Sequence, residues 1–442
     1  MLRANLKIIS VLKDFLFQVG NKSDLKKYFC FKKEHFTRSR KLTFVYLVLF
    51  ILRANKKTLS VEIENFFKEL HLNTTCSVSA FSQQRLKLHP AFFYSWNQQF
   101  CKSFYEFYGN NVKRWKGYRL IACDGSSISL VKKPSLENYF GGQSNSQNSF
   151  VLAKTFYCFD VLNELILHSD IKPYRYGEFT MACDYIDSGI LESDMLLLFD
   201  RLYSAFNISA LIEFNEQEVK YLIRTNENYN YTKEFLRSKK ESIIIDLYPT
   251  ATSIKALKKR GYLVNTNQCL KVRLIKLKLP NKKVHVYMTN LLDENRFPTS
   301  ELKNIYKFRW KAETNIGFQK NILQLEAMSG LTPLTVLQDF YATVFLSNLH
   351  SLLIKPSQVE MNKCVKGKYP LKINNNIAAA KIKEVVVCIF IMKDSREILN
   401  DLHRIFIRSP LPIRNNRSFP RIRKNNHGKT KHRTFSNYKP AC

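Results

Sequence analysis

A chain of 442 residues is too long for one compact core and suits two or three domains. Hydrophobic residues at 45% and aromatics at 13% exclude a disordered polypeptide and point to packed interiors. Lys and Arg number 70 against 36 Asp and Glu, a net charge of +34 whose natural partner is a polyanion.

Nucleic acid leads among polyanions because the cations alternate with many Tyr and Phe; a ribosome-associated or merely basic protein shares the same balance. The ten cysteines contain no C-x-x-C pair and the nine histidines do not cluster. Buried thiols in a reducing compartment are expected, with no zinc site and no disulfide scaffold. The longest apolar run, Phe44 to Leu52, is too short for a bilayer and reads as a core helix. Without a signal-peptide pattern, the expected location is the cytoplasm, near bacterial nucleoid DNA.

Taken in chain order, residues 1–115 read as a helical N-terminal domain. Apolar positions recur at helical spacing through Leu42–Leu52 and Val61–Leu70, with Ser60 as a candidate cap and Glu62 and Glu64 in the first turn. Phe81-Ser-Gln-Gln-Arg85-Leu-Lys87-Leu-His89 adds polar and basic side chains. Such faces suit duplex DNA; they equally suit a scaffold that only packs on the next domain.

At Tyr118 the pattern changes, opening the first part of a catalytic domain over 116–220. Arg119-Leu-Ile-Ala-Cys123 is a short apolar strand running into Asp124-Gly125-Ser126, where Gly serves a tight exit. Strands near Phe150–Asp160 and Glu164–Asp170 follow, joined by an Asp160-Val-Leu-Asn163 turn, with Gly141–Ser146 as a loop before them. A helix is expected over Phe179–Leu191, then a buried strand, Met195–Phe199, again ending in aspartate at Asp200-Arg-Leu-Tyr203. One strand-end Asp is usually a turn residue. Two of them around a hairpin are how an RNase H-like sheet sets two carboxylates side by side.

Residues 221–294 read as a β-rich insertion. Its run Leu270–Leu279 alternates, with Lys271, Arg273, Lys276 and Lys278 on a basic face. Residues 295–400 return to the catalytic domain, with Thr299, Ser300 and Glu301 opening a helix, a strongly apolar helix over Leu334–Leu353, and a strand-like Val385–Met392. Residues 401–442 read as a basic flexible tail that adds phosphate contacts without reading sequence. The fold class expected is α/β: an RNase H-like catalytic domain interrupted by a β-rich insertion and preceded by a helical N-terminal domain.

The stretch that organises these parts is Tyr306-Lys-Phe-Arg309-Trp310-Lys-Ala-Glu313-Thr-Asn-Ile-Gly-Phe-Gln-Lys320. Read as one helix, Tyr306, Arg309, Glu313 and Lys320 fall within an arc of roughly 60°. Ile305, Phe308, Ala312, Ile316 and Leu323 form an apolar stripe beside them. One carboxylate among two cations and a phenol suits a divalent metal and the phosphates around it; a solvated helix face has the same charge mix.

The spacing Tyr-x2-Arg-x3-Glu-x6-Lys resembles the signature of the cut-and-paste DDE transposases of the insertion-sequence-four family. Asp124, Asp200 and Glu313 resemble its catalytic triad. Met195–Asn226 and Phe36-Thr-Arg-Ser-Arg-Lys-Leu-Thr-Phe44 resemble further family segments, and Leu202 departs from the Gly common in its Asp-Arg-Gly turn. The resemblance implies a transposase that binds terminal inverted repeats of double-stranded DNA, pairs them as a homodimer, excises the element and joins it to target DNA. It also implies catalytic and metal-holding roles for Asp124, Asp200 and Glu313, phosphate contacts from Tyr306, Arg309 and Lys320, and base stacking by Trp310.

Phosphodiester cleavage needs an activated water or 3′-hydroxyl and charge relief on the transition state. Two Mg²⁺ ions roughly 3.5–4 Å apart do both, with Mn²⁺ able to substitute. Another RNase H-like nuclease, or a non-catalytic DNA-binding regulator or transposase remnant, are the alternatives; strand transfer and metal-dependent cleavage separate them.

Overall fold

The computed structural model describes residues 1–38, 40–53, 58–144, 149–214, 217–278, 283–363 and 368–414. Most of the expected basic tail, 415–442, lies outside the described residues. The chain forms two compact units: one of residues 1–109, 128–152 and 317–442, the other of 110–127 and 153–316.

The first unit is helical. Helices Leu2–Asn21, Phe44–Arg53 and Ala91–Tyr108 pack with Pro333–Lys363, Asn375–Ile391 and Arg396–Arg408. Its core is aromatic: Trp96 stacks on Phe345 at 4.0 Å between centroids and donates its Nε1–H to the Leu12 carbonyl at 2.9 Å. The apolar run Phe44–Leu52 is a core helix, and among the described residues no helix is long and apolar enough to cross a membrane. Two expectations change here. Residues 385–391 are helical rather than strand-like, with Met392 the extended residue that ends the helix, because Ile382, Val386, Ile389 and Phe390 recur at helical spacing on one buried stripe. Residues 396–408 form an amphipathic helix that buries Leu399, Leu402 and Phe406, so the tail begins later than position 401.

The second unit is built on a mixed sheet. The strands of this sheet are β1 (Arg119–Leu130), β2 (Gly142–Ser144), β3 (Ser149–Asp160), β4 (Leu165–Pro173), β5 (Met195–Phe199), β6 (Lys220–Arg224), β7 (Ser242–Leu247), β8 (Leu270–Lys278) and β9 (Val284–Thr289), of which β2 and the neighbouring ends of β1 and β3 group with the first unit. The order is β2-β3-β1-β5-β6-β9-β8-β7, with β4 also on β3. β5 runs parallel to both β1 and β6, and all five of its residues are buried, as a strand covered on both faces requires. β3 and β4 form the expected hairpin. Asp160 Oδ1 accepts from the Leu162 and Asn163 backbone N–H groups and Glu164 takes a positive φ of 59°, which closes the turn.

The result is a helical N-terminal region followed by an RNase H-like sheet with an insertion. The insertion extends that sheet: β9 pairs antiparallel with β6, and β8 and β7 follow outward. β8 does not present the uniform basic face its alternation suggests. Arg273 is 1% exposed and donates to the Phe297 carbonyl at 2.7 Å and to Ser242 Oγ at 2.9 Å, tying the insertion to the start of helix Thr299–Lys307. As an interior strand, β8 has neighbours on both sides to receive such a side chain.

Candidate active site

β1 and β5 bring the two aspartates together through register. Cys123 pairs with Phe199 across the parallel ladder, so Asp124 and Asp200 follow at the same level on adjacent strands. Such strands lie about 4.8 Å apart. β1 does not end at Asp124; it continues to Leu130, and the change at Asp124 is from fully buried to half-buried residues. After Asp200 the chain turns through a 3₁₀ segment, Arg201–Tyr203, whose first N–H is capped by Asp200 Oδ1 at 2.6 Å. Leu202 is 53% exposed there and takes no positive φ, so the turn accommodates Leu where the resemblance led one to expect Gly.

The organising stretch is two helices, Thr299–Lys307 and Trp310–Asn321, not one. Tyr306, in the first, is 7% exposed and donates its hydroxyl to the Phe199 carbonyl at 3.1 Å. That bond fixes the end of β5 one residue before Asp200. Arg309, between the helices, is 4% exposed. Its guanidinium donates to Glu313 Oε1 at 2.7 Å and to Asp124 Oδ2 at 3.3 Å, so one cation bridges two of the three predicted acids. Trp310 is 50% exposed, with the Arg309 guanidinium 5.4 Å from its ring centroid, so it is no core residue. Lys320 belongs to the first unit, where its Nζ stands 3.9 Å from Glu326 Oε1.

Electrostatics ties the three acids to one centre. Burial pushes the Asp124 carboxyl up to about 6, opposed by Arg309, reinforced by the charge of Glu313, opposed again by the Gly125 N–H and reinforced by Asp200. For Arg309, burial pulls down, but Tyr306, Asp124, Asp200 and the Glu313 bond more than offset it and raise the net value.

Among the described residues, no three His, Cys, Asp or Glu side chains stand so as to hold a metal ion together. The donor set nonetheless fits a hard divalent cation. It is made of carboxylate oxygens, with Asp124 raised first by burial and then by the charges of Glu313 and Asp200, and the Arg309 guanidinium stands between Asp124 and Glu313.

Two further groups carry no sequence signal of their own. A Cβ at Gly125 would stand 2.4 Å from Cγ and Cδ of Glu178, so this glycine lets the Glu178 side chain approach closely beside Asp124, and a larger residue would push that side chain aside. Glu178 accepts from Lys154 Nζ at 2.7 Å. Tyr203, 1% exposed, has a buried hydroxyl with no hydrogen-bond partner among the described residues; burial raises its pKa, helped by the charges of Glu178 and Asp124. Glu178 thus lies against Gly125, and Tyr203 lies within electrostatic reach of Glu178 and Asp124. Only Gly125, directly after a strand Asp, hinted that something packs there.

Comparison with known proteins follows the same lines. The family described as "Transposase DDE domain" matches residues 115–349. The chain is 22% identical over 317 residues to "Transposase InsG for insertion sequence element IS4" of Escherichia coli (strain K12), covering 70% of this chain and 68% of that protein. A solved structure described as "Cryo-EM structure of piggyBac transposase synaptic complex with hairpin DNA (SNHP)" aligns with a TM-score of 0.43 and 10% identity, covering 100% of this chain and 91% of that one. Because the family match spans more than half of its length and contains both aspartates and the glutamate, this chain belongs to the DDE transposase family.

Proposed function

We propose that this chain is a cut-and-paste DNA transposase of the insertion-sequence-four type. On this reading it binds terminal inverted repeats through the helical N-terminal domain, pairs two ends as a homodimer, cleaves them and joins them to target DNA. The observation that carries the reading is the Arg309 guanidinium, which joins Asp124 on β1 to Glu313 on helix Trp310–Asn321, while Asp200 follows β5 on the adjacent parallel strand. The complete Tyr306, Arg309, Glu313 and Lys320 spacing and the likeness to InsG support it.

Asp124, Asp200 and Glu313 would hold two Mg²⁺ ions, or Mn²⁺ in their place. When bound, such ions supply charge relief at phosphate oxygens and lower the pKa of a nucleophilic oxygen. The protein's own contribution is placement. Tyr306 anchors the β5 end and with it Asp200; Arg309, released from the carboxylates, offers its fork to a phosphate. Lys320 adds a point charge, and Trp310 offers an open ring on which a displaced base can stack, worth about 1–3 kcal/mol. The basic residues after 414 add phosphate contacts.

The test is direct. Asp124→Asn, Asp200→Asn and Glu313→Gln should each abolish Mg²⁺-dependent cleavage of a duplex carrying the element's end while leaving its binding largely intact. Cleavage at wild-type rate in any one of them removes that residue from the site. Hydrolysis without strand transfer would instead indicate another RNase H-like nuclease, and binding without cleavage under any divalent metal a non-catalytic regulator.

A further inference from the structure

Two stretches singled out in the sequence, Phe36–Phe44 and Phe81–His89, are left without a role by the catalytic centre. The fold of the first unit brings their surroundings together. Residues 29–31 run antiparallel to 87–89: the His89 N–H donates to the Phe29 carbonyl at 2.8 Å, the Phe31 N–H to the Lys87 carbonyl at 3.3 Å, and Cys30 bridges Leu88. Backbone pairing, not charge, therefore sets Lys87 beside the basic segment.

Among the described residues no carboxylate pairs with Arg38, Arg40 or Lys87, and the Lys87 ammonium donates to the neutral Gln84 Oε1 at 2.5 Å. Arg85 turns inward and is bound by Asp339 at 2.6 Å and Gln338 at 2.7 Å, which removes it from any surface. Arg38 and Arg40 are exposed. The Lys87 ammonium is pulled down by burial and by the charges of Arg40 and Arg38. Between positions 22 and 41 there are eight Lys or Arg against two acids, Asp24 and Glu34, and Asp24 stands 3.8 Å from Lys27. Phe31 at 51% and Leu86 at 50% exposure add apolar surface on either side of the pairing. Crowding like charges costs folding energy unless a polyanion is there to relieve it.

We infer that Arg38, Arg40 and Lys87, flanked by Lys32, Lys33 and the open Phe31 ring, form a docking surface for the phosphate backbone of duplex DNA. A lipid surface fits less well. The adjoining helix Phe44–Arg53 buries its apolar residues in the core and offers no amphipathic face to an interface. The inference rests on the proposed DNA-binding function and assigns it to one face of the helical unit.

The experiment uses the full chain and a duplex of arbitrary sequence, with binding followed by fluorescence anisotropy across a range of salt. R38A/R40A/K87A should bind more weakly, and its slope of log K against log salt should be shallower by about 2–3, since each phosphate contact contributes about 0.9. Its melting temperature should be no lower than that of the wild type, since the substitutions relieve like-charge crowding. If the Lys87 change disturbs the fold, R38E/R40E carries the same test at exposed positions only. Wild-type affinity and slope in the variants would overturn the assignment while leaving DNA binding itself in place. A wild-type chain that binds no duplex would overturn the proposed function as well. Loss of binding to anionic vesicles, with duplex binding unchanged, would reassign the surface to lipid.

Discussion

Arg309 is the residue on which the acid centre turns. Without its guanidinium, Asp124 and Glu313 would face each other and Asp200 with only the Gly125 N–H and solvent to relieve them. Breaking a largely buried pair on one side costs about 3 kcal/mol or more. Arg309→Ala should therefore lower the melting temperature in chelator, and added Mg²⁺ should recover more of that loss than it adds to the wild type. An equal Mg²⁺ response in both proteins would separate Arg309 from the cation place. Asp124 makes a complementary prediction. Its folded pKa, pushed up to about 6 from 3.8, means the native state holds its proton more tightly than the unfolded chain does. Stability from this group is present at acid pH and lost as pH rises through that window, by at most about 3 kcal/mol. Asp124→Asn should thus gain on the wild type between pH 4 and pH 7, read as the difference in thermal melts; a gap that stays constant with pH would contradict the shift. Gly125→Ala tests the packing behind it. The added methyl displaces Glu178 from Lys154, and an overpacked site of this kind costs about 1–3 kcal/mol, with cleavage falling more than the melting point suggests.

At the scale of elements, buried polar side chains act as ties where sequence alone suggests free cations. Arg85 joins helix Val78–Arg85 to helix Pro333–Lys363 through Asp339, Gln338, the Thr335 carbonyl and Ser329, in a network with little solvent contact. Arg85→Ala should destabilise the chain by about 3–5 kcal/mol in urea unfolding, because it leaves the Asp339 carboxylate buried without its main partner. A loss below 1 kcal/mol would show that water repairs the gap. Arg273 does the same for β8 and the start of helix Thr299–Lys307. The break between the 299–307 and 310–321 helices has its own logic. It lets Tyr306 turn inward to β5 while Arg309 and Glu313 stay at the acids, which a single straight helix with all four signature residues on one face would not allow.

At the scale of the molecule, the +34 charge is the widest-ranging feature. Residues 415–442 contribute eight Lys or Arg and no acid. Removing them should weaken binding to every duplex by a similar factor and flatten its salt dependence, without changing preference among sequences. Selective loss of binding to one sequence would mean that this segment reads bases.

Several features were determined by the sequence alone. The buried run Met195–Phe199, the hairpin turn at Asp160–Asn163 and the core helix over 44–52 each follow from local pattern, since apolar period and turn chemistry act over a few residues. The spacing of Tyr306, Arg309 and Glu313 likewise picked out side chains that meet Asp124 and the end of β5. What only the tertiary structure decided depends on contacts between distant segments. The register of β1 on β5 sets Asp124 level with Asp200, Glu178 comes to lie against Gly125, and the helices after 317 group with the N-terminal ones. Arg85 and Arg273 look like surface cations in one dimension and are interior ties in three. Whether a guanidinium faces solvent or a carboxylate is set by which chain segment arrives opposite it, and no local pattern carries that information.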